Sequence, residues 1–97
     1  MTLRDLLRQL DTLDGELTIY AEGGPAAGLD DRAVAAEEPE DGSLPDKAAG
    51  LDYLLEVSLA AEVSRVWSEW RDGREATAEE LHEAVCYYAS NDAFLPR

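Results

Sequence analysis

The sequence predicts a small α+β domain: a three-stranded antiparallel sheet with three helices, in the order α-β-β-β-α-α, the helices forming a single layer on one face. Three observations carry that expectation. Leucines recur at helical spacing over residues 3–13, and apolar and polar residues alternate from Glu16 to Glu22. Thr77-Ala78-Glu79-Glu80 then opens another amphipathic stretch with a capping box. A chain of 97 residues is expected to form one domain, 1–97, burying roughly 60–70% of its unfolded surface.

Each element has a local reason. Leu3, Leu6, Leu7, Leu10 and Leu13 share one helical face, while Arg4, Asp5, Arg8 and Asp11 take the other. Thr2 is the expected N-cap, and Asp14-Gly15 the expected end. In the following strand Leu17, Ile19 and Ala21 alternate with Glu16, Thr18, Tyr20 and Glu22, so one face should be buried. Gly23-Gly24-Pro25 breaks it. Residues 32–36 form a weaker strand, placed as the antiparallel partner of the first. Glu37 to Gly50 reads as a polar loop carrying Pro39, Gly42 and Pro45.

Residues 51–70 fit two periods. As a helix, Leu51, Leu55, Leu59, Val63, Val66 and Trp70 line one side. As a strand, Leu51, Tyr53, Leu55 and Val57 alternate with Asp52, Leu54, Glu56 and Ser58. Two strands alone make a poor sheet, so a strand over 51–57 and a helix over 59–71 is the preferred reading. Val63, Val66, Trp67 and Trp70 form the apolar stripe of that helix, and Gly73 is its stop. The last helix buries Leu81, Ala84, Val85 and Tyr88 and should end near Ser90-Asn91. Phe94 and Leu95 are expected to fold back on the core, since Pro96 cannot continue a helix.

The tail Tyr87-Tyr88-Ala89-Ser90-Asn91-Asp92-Ala93-Phe94 and the strand starting Tyr53-Leu54-Leu55-Glu56-Val57 carry a resemblance. With the leading leucine helix and the acidic middle, they resemble a family of small acidic bacterial proteins of unknown function that end in a Tyr-Tyr-x-x-Asn-Asp-Ala-Phe-like motif. The resemblance implies the strand reading of 51–57 and no catalytic residues. It covers most of the chain in layout and is specific only at those two places.

Charge narrows the function classes. The chain holds 22 acidic and 8 basic residues, a net of −14. Residues 14–56 hold twelve acids against Arg32 and Lys47 alone, which is ten of those net charges. A localised single-sign field selects a basic protein partner and excludes direct contact with nucleic acid or an anionic membrane. The single cysteine, Cys86, rules out an internal disulfide and suits a reducing compartment. The first residues lack the apolar core of about 7–15 residues that a signal peptide needs. No apolar run approaches the ~20 residues of a membrane span. A cytoplasmic location is expected.

No motif points to catalysis, so the chain is not expected to be an enzyme and no cofactor is expected. His82 and Cys86 are spaced i, i+4, but two ligands fall short of a zinc site. His82 reads as a surface residue in an acidic setting and Cys86 as a small, partly buried core residue. No serine stands in a Gly-x-Ser-x-Gly elbow. Glu37-Glu38-x-Glu40-Asp41 lacks the spacing of an EF-hand loop and reads as a solvated charge run. Gly23-Gly24-Pro25 is a turn and not a phosphate cradle.

The expected function is therefore a non-catalytic protein that captures a basic partner protein, in the manner of an immunity protein or antitoxin. The candidate residues are the acids Asp30, Asp31, Glu37, Glu38, Glu40 and Asp41, with Trp70 and Tyr87 as aromatic anchors. Two alternatives stand beside it. One is a nucleic-acid mimic that inhibits a DNA- or RNA-binding protein. The other is a housekeeping protein whose acidity serves solubility only.

Overall fold

A leucine-lined first helix, α1, covers only Leu3–Leu7 in the computed structural model, which describes residues 1–96. Thr2 caps it through its Oγ1, which accepts the Asp5 N–H at 3.2 Å. The expected helix over 3–13 stops early for a local reason. The Gln9 side-chain amide donates to the Asp5 carbonyl at 3.3 Å, the acceptor its own backbone N–H would have used. That N–H turns to the Leu6 carbonyl at 3.2 Å, and residues 10–12 continue as a 3-10 turn. Leu10 stays buried through that turn, so the leucine stripe still faces the core.

Three strands follow: β1 (Thr18–Ala21), β2 (Ala33–Ala36) and β3 (Asp52–Glu56). They form one antiparallel sheet in the order β2-β1-β3. β1 pairs with β2 from Thr18↔Ala36 to Ala21↔Ala33. It pairs with β3 at Thr18↔Glu56, Ile19↔Leu55, Tyr20↔Tyr53 and Ala21↔Asp52. Leu54 is the extra residue of a bulge between the second and third of these pairs. The N-terminal residues brace β2: the Ala33 N–H donates to the Met1 carbonyl, and the Leu3 and Arg4 N–H groups donate to the Asp31 and Leu29 carbonyls. Those last two contacts also satisfy donors that the start of α1 leaves open.

The two long helices are α2 (Val57–Glu69) and α3 (Ala78–Asn91). α2 begins two residues earlier than expected, directly on β3. The Val57 N–H donates to the Leu17 carbonyl at 2.9 Å, so strand passes into helix without a loop. At its end the Gly73 N–H returns to the Ser68 carbonyl at 2.8 Å, with Gly73 at φ 83°, the left-handed conformation glycine accepts. α3 carries the full capping box between Thr77 and Glu80, and Asp92 closes it at φ 55°.

The helices pack on one face of the sheet. Ile19, Ala21, Ala33, Leu54 and Leu55 meet Leu3, Leu6, Val57, Ala60, Val63, Trp67, Ala84 and Val85 in one core. Phe94 and Leu95 fold back against it, partly buried. Tyr88, expected inside, is half-buried and packs on Phe94 with ring centroids 5.2 Å apart.

The opposite face differs from the half-solvated face that alternation predicts. All four residues of β1 are buried. Tyr20 is covered by Ala48 and Leu51, with Val34 beside it. Ala48 ends a 3-10 turn at 46–48 inside the segment read as a polar loop. That segment is thus half solvent loop and half lid on the sheet.

Cation–ring contacts and an ion pair span the junction of α2 and α3. Trp67 is 5% exposed, and the guanidinium groups of Arg71 and Arg74 lie 4.2 and 4.7 Å from its ring centroid. Arg74 reaches Glu80 with two hydrogen bonds of 3.1 and 3.0 Å. These bonds, with the Thr77 N–H, bring the Glu80 carboxyl down to about 2 from an ordinary 4.5. A carboxyl lowered on folding contributes stability that is complete above about 4.5 and lost as pH falls through about 2. Glu80→Gln should therefore melt below the parent at pH 6, with the gap narrowing below pH 4.5 and closing near pH 2. A gap that does not change with pH would contradict this account. Among the described residues no helix is long and apolar enough to cross a membrane.

Candidate functional site

The site follows from the bulge in β3. Strict alternation would place Tyr53 and Leu55 on one face, but Leu54 and Leu55 are adjacent and both buried in the helix-side core. The chain spends an extra residue there, so Tyr53 emerges opposite Tyr20 on the face away from the helices. Tyr53 is 45% exposed and Tyr20 2% exposed. Their rings meet edge to face at 84°, with centroids 6.3 Å apart. Gly24, at φ 55°, lets the turn after β1 close on this edge: a Cβ there would stand 3.1 Å from the Tyr53 carbonyl oxygen.

The charges of two glutamates act on the pair. Burial is the main cause that pushes the Tyr53 phenol up, and the charges of Glu56 and Glu38 add to it. The Tyr20 phenol is raised first by burial and then by Glu38. Glu56 ends β3, while Glu38 belongs to the segment after β2. The Tyr20 hydroxyl is buried without a hydrogen-bond partner. An unpaired buried hydroxyl costs about 1–3 kcal/mol. A groove of about 400 Å³ lies along the start of the same segment, lined by Leu17, Ala35, Ala36, Glu37, Pro45, Asp46 and Lys47.

The expected site residues occupy separate places. Asp30 and Asp31 precede β2, and Glu37, Glu38, Glu40 and Asp41 follow it, so a strand of roughly 13 Å divides them. Asp30 pairs with Arg4 at 3.5 Å, and Arg4 also meets Glu79 at 3.0 Å, tying α1 to α3. Asp31 accepts the Gly28 N–H at 2.8 Å and shapes its own turn. Asp41 accepts the Ser43 hydroxyl at 2.7 Å and the Ser43 N–H at 3.0 Å, and these bonds hold its carboxyl below the usual range. Glu37, Glu38 and Glu40 are exposed.

The two expected anchors lie on the helices. Trp70 is 37% exposed and stacks edge-on against Phe94 at 6.1 Å. Tyr87 is half-buried on α3, where its carbonyl accepts the Asn91 side chain at 2.9 Å. Tyr53 is the exposed aromatic residue on which the charges of Glu38 and Glu56 act. The doublet Leu54-Leu55 is the signal that could have found it, because two adjacent buried leucines cannot both obey a two-residue period.

His82 is not the surface residue the sequence suggested. It is half-buried, with Nε2 2.7 Å from the Ala27 carbonyl, and a carbonyl can only accept, so Nε2 carries the proton. The bond fastens the loop before β2 to α3. Cys86 is half-buried, and burial pushes its thiol up. Among the described residues no group of three or more His, Cys, Asp or Glu is placed to hold a metal ion. A second groove, of about 360 Å³, runs between α1, α2 and the start of α3, with Arg8, Asp11, Ser64, Glu75 and Thr77 among its lining residues. Neither groove is lined by a histidine or cysteine.

Compared with known proteins, the chain matches no family model, no curated protein and no solved structure.

Proposed function

We propose that this protein is a non-catalytic binder that captures a basic partner protein through the sheet face opposite the helices, in the manner of an immunity protein or antitoxin. One observation carries the reading: an exposed aromatic ring, Tyr53, stands in the field of Glu38 and Glu56 on the half of the chain that holds ten of the fourteen net negative charges. Distant carboxylates steer a cationic partner in, and a rigid aromatic supplies contact area at low entropic cost. Membership in the family of small acidic bacterial proteins, and a cytoplasmic location, belong to the same proposal.

The test is a pull-down from the native host at 50 mM salt, followed by stopped-flow association with the purified captured protein. The association rate should fall at least about tenfold between 50 and 500 mM salt, since a Debye length of about 4 Å at the higher salt leaves little steering. Association at equal rates in the two salts would contradict capture by charge.

A further inference from the structure

The charge on the sheet face says what sign of partner it takes, and the arrangement around Tyr53 says which side chain. This inference rests on the proposed capture of a basic protein. The fold contains its own example of the contact. Trp67 is flanked by the guanidinium groups of Arg71 and Arg74, and Arg74 is fixed from the side by the Glu80 carboxylate. Aromatic ring, guanidinium and carboxylate thus form one unit.

Tyr53 also joins an aromatic ring to carboxylates. The ring is held upright by its edge-to-face contact with Tyr20 and is open over close to half the residue. Glu56 pairs with Thr18 as Tyr53 pairs with Tyr20, so both face away from the helices; Glu38 follows Ala36, which pairs with the same Thr18, and the charges of both glutamates act on Tyr53. Both guanidinium–ring stacks among the described residues belong to Trp67. An open ring and two carboxylates together suit a flat, forked donor.

We propose that Tyr53, Glu38 and Glu56 form an anchor for an arginine side chain of the partner, with the guanidinium over the Tyr53 ring and its N–H groups donating to the two carboxylates. Lysine would satisfy the charge but not the geometry. Its ammonium is compact and strongly hydrated, whereas a guanidinium stacks on aromatic faces and bonds carboxylates in pairs. A second copy of this chain would bring like charge to the same face.

The experiment uses the full chain and two probes of equal charge, a hexa-arginine and a hexa-lysine peptide, titrated at 20 mM salt and followed by calorimetry. Hexa-arginine should bind about five- to tenfold more tightly than hexa-lysine. Tyr53→Leu should remove that preference while leaving hexa-lysine affinity within about twofold. Tyr53→Phe keeps the ring and should keep the preference, which separates loss of the anchor from loss of the fold. Equal affinity of the parent for the two peptides, or a preference that survives Tyr53→Leu, would overturn the anchor and leave capture by charge standing. Failure of both peptides to bind would overturn the capture reading beneath it. Self-association of the protein that excludes hexa-arginine would assign the face to a second copy and overturn the proposal as well.

Discussion

Replacing Trp67 with alanine should cost about 3–5 kcal/mol, the largest stability loss expected from any single change outside the sheet. The ring is 5% exposed and packs in the main core. Its removal opens a cavity and takes away the ring against which the Arg71 and Arg74 guanidinium groups rest. Arg71 joins the turn after α2 to the tail, donating to the Trp67 carbonyl at 3.0 Å and to the Pro96 carbonyl at 3.4 Å. A domain of this size has a total stability of about 5–15 kcal/mol, so the loss is a large fraction of the whole. Thermal melting followed by circular dichroism should show a fall of at least about 12 °C. Trp67→Phe retains a ring beside the arginines and should lose less than half as much. Equal losses for the two variants would show that the cavity left by the ring does not set the cost.

The second large effect concerns association. Changing Glu37, Glu38 and Glu40 to glutamine and Asp41 to asparagine lowers the net charge from −14 to −10. Asparagine keeps the acceptor that Asp41 presents to the Ser43 N–H and hydroxyl, so the local turn survives. All four positions are exposed, and each change should alter stability by no more than about 0.5 kcal/mol. The association rate with a basic partner at 50 mM salt should fall about tenfold, and at 500 mM salt the variant and parent should agree. Stopped-flow fluorescence measures both. An unchanged rate at low salt would show that the acids of this segment serve solubility and leave the recognition to the aromatic residues.

Where local rules act alone, the fold was legible. Thr77 and Glu80 cap α3 as their spacing requires, and Thr2 caps α1. The pairing of residues 32–36 with β1 and the strand at 51–57 also appear, shortened at their ends. What escaped was set by competition or by tertiary contact. Gln9 takes the Asp5 carbonyl and cuts the first helix, a side-chain choice that leucine periodicity does not register. Tyr20 looked solvent-facing by alternation and is buried because Ala48 and Leu51 return over it from a segment that composition marks as loop.

The candidate site shows the same division. The acidic stretch was plain in the sequence, and Glu38 was among its named residues. The aromatic anchor was not, because the bulge at Leu54 reverses the face that Tyr53 presents. The sequence pointed instead to Trp70 and Tyr87, whose helical positions leave them partly exposed, and the structure places them on α2 and α3 away from the sheet face. Asp30 and Asp31 are engaged with Arg4 and Gly28 at the other end of β2.

The most direct measurement is a backbone and aromatic NMR titration of the full chain with hexa-arginine at 20 mM salt. The largest shift changes should fall on Tyr53, Glu38, Glu56 and their strand neighbours, while the resonances of α2 and the Trp70–Phe94 cluster stay in place. Changes centred on α2, α3 or Trp70, with Tyr53 unmoved, would contradict the claim that the sheet face is where this protein meets its partner.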